Sequence, residues 1–114
     1  MNEKLTVLIV CYNRYKYTKQ CILSVLENIR TIDNVLIIDN GSNDSSRDFI
    51  KKISVLHSNV EYYFPDTNLY VNGAWKYVAN NINLNDYVLL LDNDAKFTDS
   101  AGNWYRDCVK IFRH

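Results

Sequence analysis

Proline and glycine are scarce in this sequence, one and three residues in 114. No repeat or low-complexity tract is present either, and nothing reads as a linker, so residues 1–114 are expected to form one domain around one core. Net charge is also lacking: 13 basic residues stand against 13 acidic ones. A nucleic-acid surface normally shows as a basic excess, so none is expected, although neutrality leaves room for a local basic pocket. No apolar run approaches the roughly 18 residues of a membrane span. The apolar stretch at residues 5–11 is short for a secretory signal and ends in Tyr-Asn-Arg rather than small residues. It reads as a buried strand. Cysteine is sparse and odd in number, at Cys11, Cys21 and Cys108, with no Cys-x-x-Cys pair. That pattern speaks against a disulfide framework or a zinc site and for structural thiols in a reducing cytosol.

What is present is ordinary globular composition, 47% hydrophobic and 23% charged. Apolar runs rich in Val, Ile, Leu and Tyr stand at residues 5–10, 35–38, 60–64 and 87–91. The first, second and fourth lack alternation and are expected to be strands buried on both faces. The third, VEYYF, is expected nearer an edge. Helical spacing fills the gaps. Cys21, Val25 and Ile29, flanked by Ile22 and Leu26, form one stripe. Phe49, Ile50 and Ile53 form a second, with Asn43, Asp44 and Ser45 as candidate N-caps. Ala74, Trp75, Val78, Ala79 and Ile82 form a third, with Asn72 as its cap. A last helix over 102–114 is expected to bury Trp104, Cys108, Val109 and Phe112. Strands alternating with helices predict an α/β fold with a mostly parallel sheet and helices on both faces.

In such sheets, ligands bind outside the carboxyl ends of the strands. Polar residues gather at each of these ends. Tyr12-Asn13-Arg14 follows the first strand, Asp39 to Asp44 (DNGSND) the second, Asp66-Thr67-Asn68 the third and Asp92-Asn93-Asp94 the fourth. Turn and helix-cap chemistry explains DNGSND as well as a ligand role does, and a cap with a solvated Arg explains Tyr12-Asn13-Arg14. Asp92 and Asp94 resist such an account. At i and i+2 of an extended chain they point the same way, with Cα atoms roughly 7 Å apart. Two like charges about 4 Å apart repel by on the order of 4 kcal/mol at an effective dielectric of 20. A divalent cation reverses that, and hard carboxylate oxygens suit Mg²⁺ or Mn²⁺, with magnesium commonly bridging carboxylates and substrate phosphates.

VLIVCYNR, VLIIDNGSND and YVLLLDND, in this order and at strand ends, resemble the signatures of the inverting family 2 glycosyltransferases. The resemblance runs through most of the chain and corresponds to the N-terminal, nucleotide-sugar-binding half of that family. It implies a Rossmann-like three-layer sandwich of the A-type glycosyltransferase fold. It also implies roles at matching positions. Cys11, Tyr12, Asn13 and Arg14 would pack around the base, partly through backbone groups. Asp39 would accept a hydrogen bond from a uracil or thymine ring N–H. Asp44 would lie on the nucleotide side or cap a helix. Asp92 and Asn93 would lie near the ribose and diphosphate, Asp94 would ligate the metal, and Asp92 would stand beside it in the Asp-x-Asp motif.

The implied reaction is transfer of a sugar from a UDP- or dTDP-sugar, with Mg²⁺ or Mn²⁺, to the hydroxyl of a sugar or lipid-linked acceptor in polysaccharide or glycoconjugate synthesis. A cytoplasmic location is implied, peripheral at the inner membrane face.

Two departures from the family pattern stand out. NLYVNGAWKYVANN has Asn68 and Gly73 in place, but Tyr70 stands where a glycine is common and Trp75 near where an Arg often lies. Lys76 either supplies a phosphate-facing charge or is a solvated helix lysine. The chain is also about half the usual length of the catalytic domain. The acceptor-binding half and the catalytic base are expected to be missing, and neither Asp99 nor Asp107 has motif support as that base. The face so exposed is expected to favour a second copy or a partner. The alternative function is a non-catalytic remnant or binding module of the same fold. A receiver domain is disfavoured because the Thr and Lys switch positions are missing, and a nucleotidyltransferase because no Gly-rich, Arg-bearing loop follows the first strand.

Overall fold

A computed structural model describes residues 4–81 and 87–92. They form β1 (Leu5–Cys11), α1 (Tyr15–Asn28), β2 (Asn34–Asp39), α2 (Ser46–Leu56), β3 (Val60–Tyr63), α3 (Tyr70–Asn81) and β4 (Tyr87–Asp92). The predicted alternation holds through β4. Ile82 and the helix expected over 102–114 lie outside the described residues.

The strands pair in the order β3-β2-β1-β4, and every pairing is parallel. In this register Val7 stands between Val35 and Leu89, and Ile9 between Ile37 and Leu91. With a neighbour on each side and helices on both faces, β1 has no position that meets water. All seven of its residues are buried, which is why its sequence is a continuous apolar run.

β1, β2 and β3 follow one another in one direction across the sheet, so right-handed crossovers put α1 and α2 on the same face. There Cys21, Ile22, Val25, Ile50 and Ile53 pack on Leu5, Val7, Ile9, Val35 and Ile37. β4 returns to the far side of β1, and α3 crosses the opposite face. Its Ala74 and Val78 meet Leu8, Val10, Leu36, Ile38 and Val88. Burying one large aliphatic side chain is worth about 1.5–3 kcal/mol. These two layers, rather than helix propensity, therefore hold the helices in place.

Several sequence expectations need correction. α1 ends at Asn28, and Ile29 is its extended C-cap, with the Ile29 amide donating to the Val25 carbonyl at 3.1 Å. The stripe on α3 is narrower than its periodicity suggests. Ala74 and Val78 are buried, but Trp75 is 38% exposed and Ala79 faces solvent. α3 has one sheet face beneath it, which covers only a strip at i, i+4 spacing. Asn72 lies inside α3 and does not cap it; the Tyr70 amide instead donates to Asn68 Oδ1 at 2.7 Å. β3 is an edge strand as expected, with Glu61 and Tyr62 exposed. β4 is not buried on both faces along its length. Val88 and Leu89 are buried, but Leu90 is 37% exposed, because β4 is outermost among the described strands.

Strand order reverses between β1 and β4. That is the place where an open parallel sheet leaves a crevice at its carboxyl ends.

Candidate functional site

At the end of β1, Asn13 (φ 54°) and Arg14 (φ 59°) both adopt the left-handed conformation. Asn tolerates it better than most residues. This sharp turn starts α1, and Thr18 Oγ1 donates to the Asn13 carbonyl at 3.3 Å to hold it. The turn is sewn to the one after β2. The Asn40 amide donates to the Cys11 carbonyl at 2.8 Å. The Asn13 amide donates to Ser42 Oγ at 2.6 Å, and the Asn43 amide to Asn13 Oδ1 at 2.8 Å. The Tyr15 amide donates to Asp44 Oδ2 at 3.0 Å. Tyr12 is 51% exposed and lies beside Gly41, whose φ of +113° only glycine adopts without strain.

Asp39 ends β2 and is fully buried. Its Oδ1 accepts the amides of Gly41 (3.0 Å) and Ser42 (2.7 Å), closing the DNGSND turn on itself. Arg47, from the first turn of α2, donates from Nε to the same Oδ1 at 3.0 Å and from an Nη to the Asp39 carbonyl at 3.3 Å. The Arg47 guanidinium also stacks over Phe64, 4.5 Å from the ring centroid. Asp39 Oδ2 is buried and has no hydrogen-bond partner among the described residues. An unpaired buried acceptor costs about 1–3 kcal/mol, so Oδ2 is a place where an incoming donor gains most.

Two of the predicted site residues act on neighbouring backbone. Asp44 reaches the N-termini of two helices, taking the Tyr15 amide at the start of α1 and the Ser46 amide (2.9 Å) at the start of α2. Desolvation pushes its carboxyl up, but the nearby polar groups of Ser46 and the Tyr15 amide outweigh that and hold it below the usual Asp range. Cys11 points into the core. Burial first, then the charges of Asp39 and Cys21, push its thiol well above the usual range. It is therefore neither a metal ligand nor a nucleophile, and only its backbone faces the turn.

The β3–α3 connection joins the same end of the sheet. Asn40, buried, takes the Leu69 amide on its Oδ1 at 3.0 Å. Asn68 caps the next amide, and Tyr70 then sits at φ 56° with 73% of its surface exposed. Gly73 lies in the helix, where an added Cβ would stand 3.1 Å from Leu69 Cβ. Close packing thus accounts for that glycine. Lys76 is exposed on α3.

Asp92 ends β4 in register with Val10, while Asp39 is in register with Cys11. The two acidic positions therefore flank β1 from opposite sides, about 10 Å apart by strand spacing. The Asp92 side chain, Asn93 and Asp94 lie outside the described residues. Among the described residues no three His, Cys, Asp or Glu side chains cluster as a metal would require. Asp92 and Asp94 supply hard carboxylate oxygens of the kind Mg²⁺ or Mn²⁺ takes, and β4 ends at Asp92; their expected role as metal ligands falls outside the described residues.

Sequence reasoning missed Asn40, Ser42 and Arg47. The first two sit inside the quoted DNGSND motif, where every polar residue looked like turn chemistry. Arg47 looked like a solvated helix charge. A depression of about 270 Å³ lined by Leu26, Ile29, Arg30, Leu56 and His57 lies between the C-terminal ends of α1 and α2. It is at the other end of the sheet and takes no part in this cluster.

Residues 6–111 match the family described as Glycosyl transferase family 2. The chain is 30% identical over 116 residues to an uncharacterized glycosyltransferase, MG025, of Mycoplasma genitalium, covering 96% of this chain and 36% of that protein. It superposes on S. aureus TarS residues 1–349 in complex with UDP-GlcNAc with TM-score 0.74 and 21% identity, over 94% of this chain and 30% of that one. It superposes equally, TM-score 0.74 and 14% identity, on the mannosyltransferase PcManGT from Pyrobaculum calidifontis in complex with GDP-Man and Mn²⁺, over 89% of this chain and 30% of that one. These likenesses give the expected A-type glycosyltransferase fold. The chain spans about a third of the length of the curated relatives it matches first, 36% and 33%.

Proposed function

The chain belongs to glycosyl transferase family 2, and from that premise we propose that residues 1–114 form a domain that binds a UDP- or dTDP-sugar for transfer to an acceptor hydroxyl. The observation that carries this reading is Asp39: a buried carboxylate at the carboxyl end of β2, with Oδ1 saturated and Oδ2 unpaired. Oδ2 suits the ring N–H of uracil or thymine. Because Oδ2 is covered, a base must displace a side chain to reach it, and Tyr12, half exposed beside Gly41, is assigned that place and the packing against the base. Backbone groups of Cys11, Asn13 and Arg14 complete the base side.

Asp92 and Asn93 are assigned to the ribose and diphosphate, Asp94 with Asp92 to Mg²⁺ or Mn²⁺, and Asn68, Gly73 and Lys76 to the diphosphate side. When bound, the ion supplies Lewis-acid stabilisation of the charge that builds on the leaving diphosphate. This chain's residues hold the base and orient the donor. The acceptor, a sugar or a lipid-linked hydroxyl, and the base that deprotonates it are assigned to no residue here. A cytoplasmic location at the inner face of a membrane belongs to the proposal and rests on the family; among the described residues no helix is long and apolar enough to cross a membrane.

The test is a thermal melt with UDP and Mn²⁺ or Mg²⁺. Ligand at about 100 times Kd stabilises by about 2.7 kcal/mol, a rise on the order of 10 °C for a domain of this size. Asp94→Ala is expected to abolish the metal-dependent part. No shift at millimolar ligand would overturn the reading. A second reading is a module that binds donor without turning it over, since no described residue is assigned as the base that activates an acceptor. Detectable hydrolysis of UDP-glucose or UDP-galactose by the chain excludes that second reading.

A further inference from the structure

The feature left unexplained by turn chemistry is Arg47. The Gly41 and Ser42 amides already close the Asp39 turn. Arg47 adds a third donor to the same oxygen, and its guanidinium is fixed on three sides: Asp39 Oδ1, the Asp39 carbonyl and the face of Phe64. Phe64 is itself backed by Tyr62, ring centroids 4.7 Å apart. The whole carboxylate is thereby turned so that all three donors fall on one oxygen and none on the other. A carboxylate held beside a guanidinium can accept hydrogen bonds at its second oxygen but has no proton to donate.

We propose that Arg47 is the positioning residue for base selection, fixing Asp39 as a pure acceptor so that the site admits bases with a ring N–H and rejects cytosine. This rests on the donor-binding reading above. Uracil and thymine present N3–H to such an acceptor. Cytosine presents a bare N3, and two acceptors then face each other. An unpaired buried polar group on each side is the arrangement that gives strong discrimination. Without Arg47 the carboxylate is no longer held with one oxygen occupied and the other presented, and a turned carboxylate can accept from the N4 amino group of cytosine instead. The titratable groups around Asp39 are Arg47 from α2 and the buried Cys11 thiol from β1, with Asp44 farther out in the turn.

The experiment measures UDP and CDP binding to the full chain with Mn²⁺ by calorimetry from pH 5 to pH 8. Arg47→Met keeps the apolar stem on Phe64 and removes the charge; Arg47→Lys restores the charge. Wild type is expected to prefer UDP by a ratio that does not change across this range. In Arg47→Met, UDP is expected to bind up to about tenfold more weakly, the cost of ordering on binding a carboxylate that is no longer held in place. Its UDP/CDP ratio should fall at every pH. Arg47→Lys should recover most of the preference. A folded Arg47→Met with the wild-type ratio at every pH overturns the proposal while leaving donor binding intact. Failure of the wild type to bind UDP overturns both. Should Arg47→Met not melt cooperatively, Arg47→Lys decides alone. A UDP/CDP ratio kept near the wild-type value supports the proposal, and loss of preference with the positive charge retained overturns it.

Discussion

At the scale of single residues, Tyr70 shows how a departure from a family pattern is accommodated. It stands where the pattern has glycine, and the backbone keeps the conformation glycine would take, φ 56°. The left-handed region costs an L-residue roughly 1–2 kcal/mol, and Asn68 holds it there by accepting the Tyr70 amide. Tyr70→Gly relieves that strain but loosens the unfolded chain by about 0.5–1 kcal/mol. The expected net result is a gain of up to about 1 kcal/mol, read as a higher urea midpoint at unchanged slope; a lower midpoint would contradict it. Residue roles were unevenly legible. Asp39 was singled out only through the family resemblance, because turn chemistry accounts for an acid in DNGSND equally well. Arg47 was not singled out, because its link to Asp39 spans eight positions and exists only once the turn and α2 close on each other. Trp75 and Ala79 misled in the other direction, since periodicity gives the angle of a stripe and not the width of the surface that covers it.

At the scale of elements, Asp44 ties α1 to α2. One carboxylate satisfies an amide at each helix start, where the helix dipoles favour negative charge. Sequence placed a cap near Asn43, Asp44 or Ser45, but it could not show that the same side chain serves the helix before it. Asp44→Ala is expected to cost about 1 kcal/mol, the usual loss of an N-terminal cap, with a small electrostatic share because the group is exposed. The sign of the pH effect follows from its lowered value. The folded form titrates below the 3.8 of a free Asp, so the stabilisation is present above about pH 4 and is lost as pH falls through the folded value. Chemical melts of wild type and Asp44→Ala should therefore converge on acidification; a constant difference between pH 7 and pH 3 would refute the assignment.

At the scale of the whole molecule, β1 is the hinge of the design: it pairs with both neighbours and carries both cores. Leu8, fully buried on the α3 side, is expected to cost about 2–5 kcal/mol when cut to Ala. Against a typical total of 5–15 kcal/mol, a urea melt should show a substantial share of the stability gone, and a loss under 1 kcal/mol would mean the α3 layer is not a true core. The parallel α/β class was readable because three runs without alternation demanded burial on both faces. The place of β4 as the outermost of the described strands was not, because a run of apolar residues does not say which neighbours a strand has. The strand order has a temporal consequence. Leu5 and Tyr87 are partners across β1 and β4, yet β2 and β3 both lie between them in the chain. At about 5–20 residues per second, one flank of β1 waits on the order of ten seconds for its partner. Among the described strands β4 is made last, so the crevice beside it forms after the rest of the sheet.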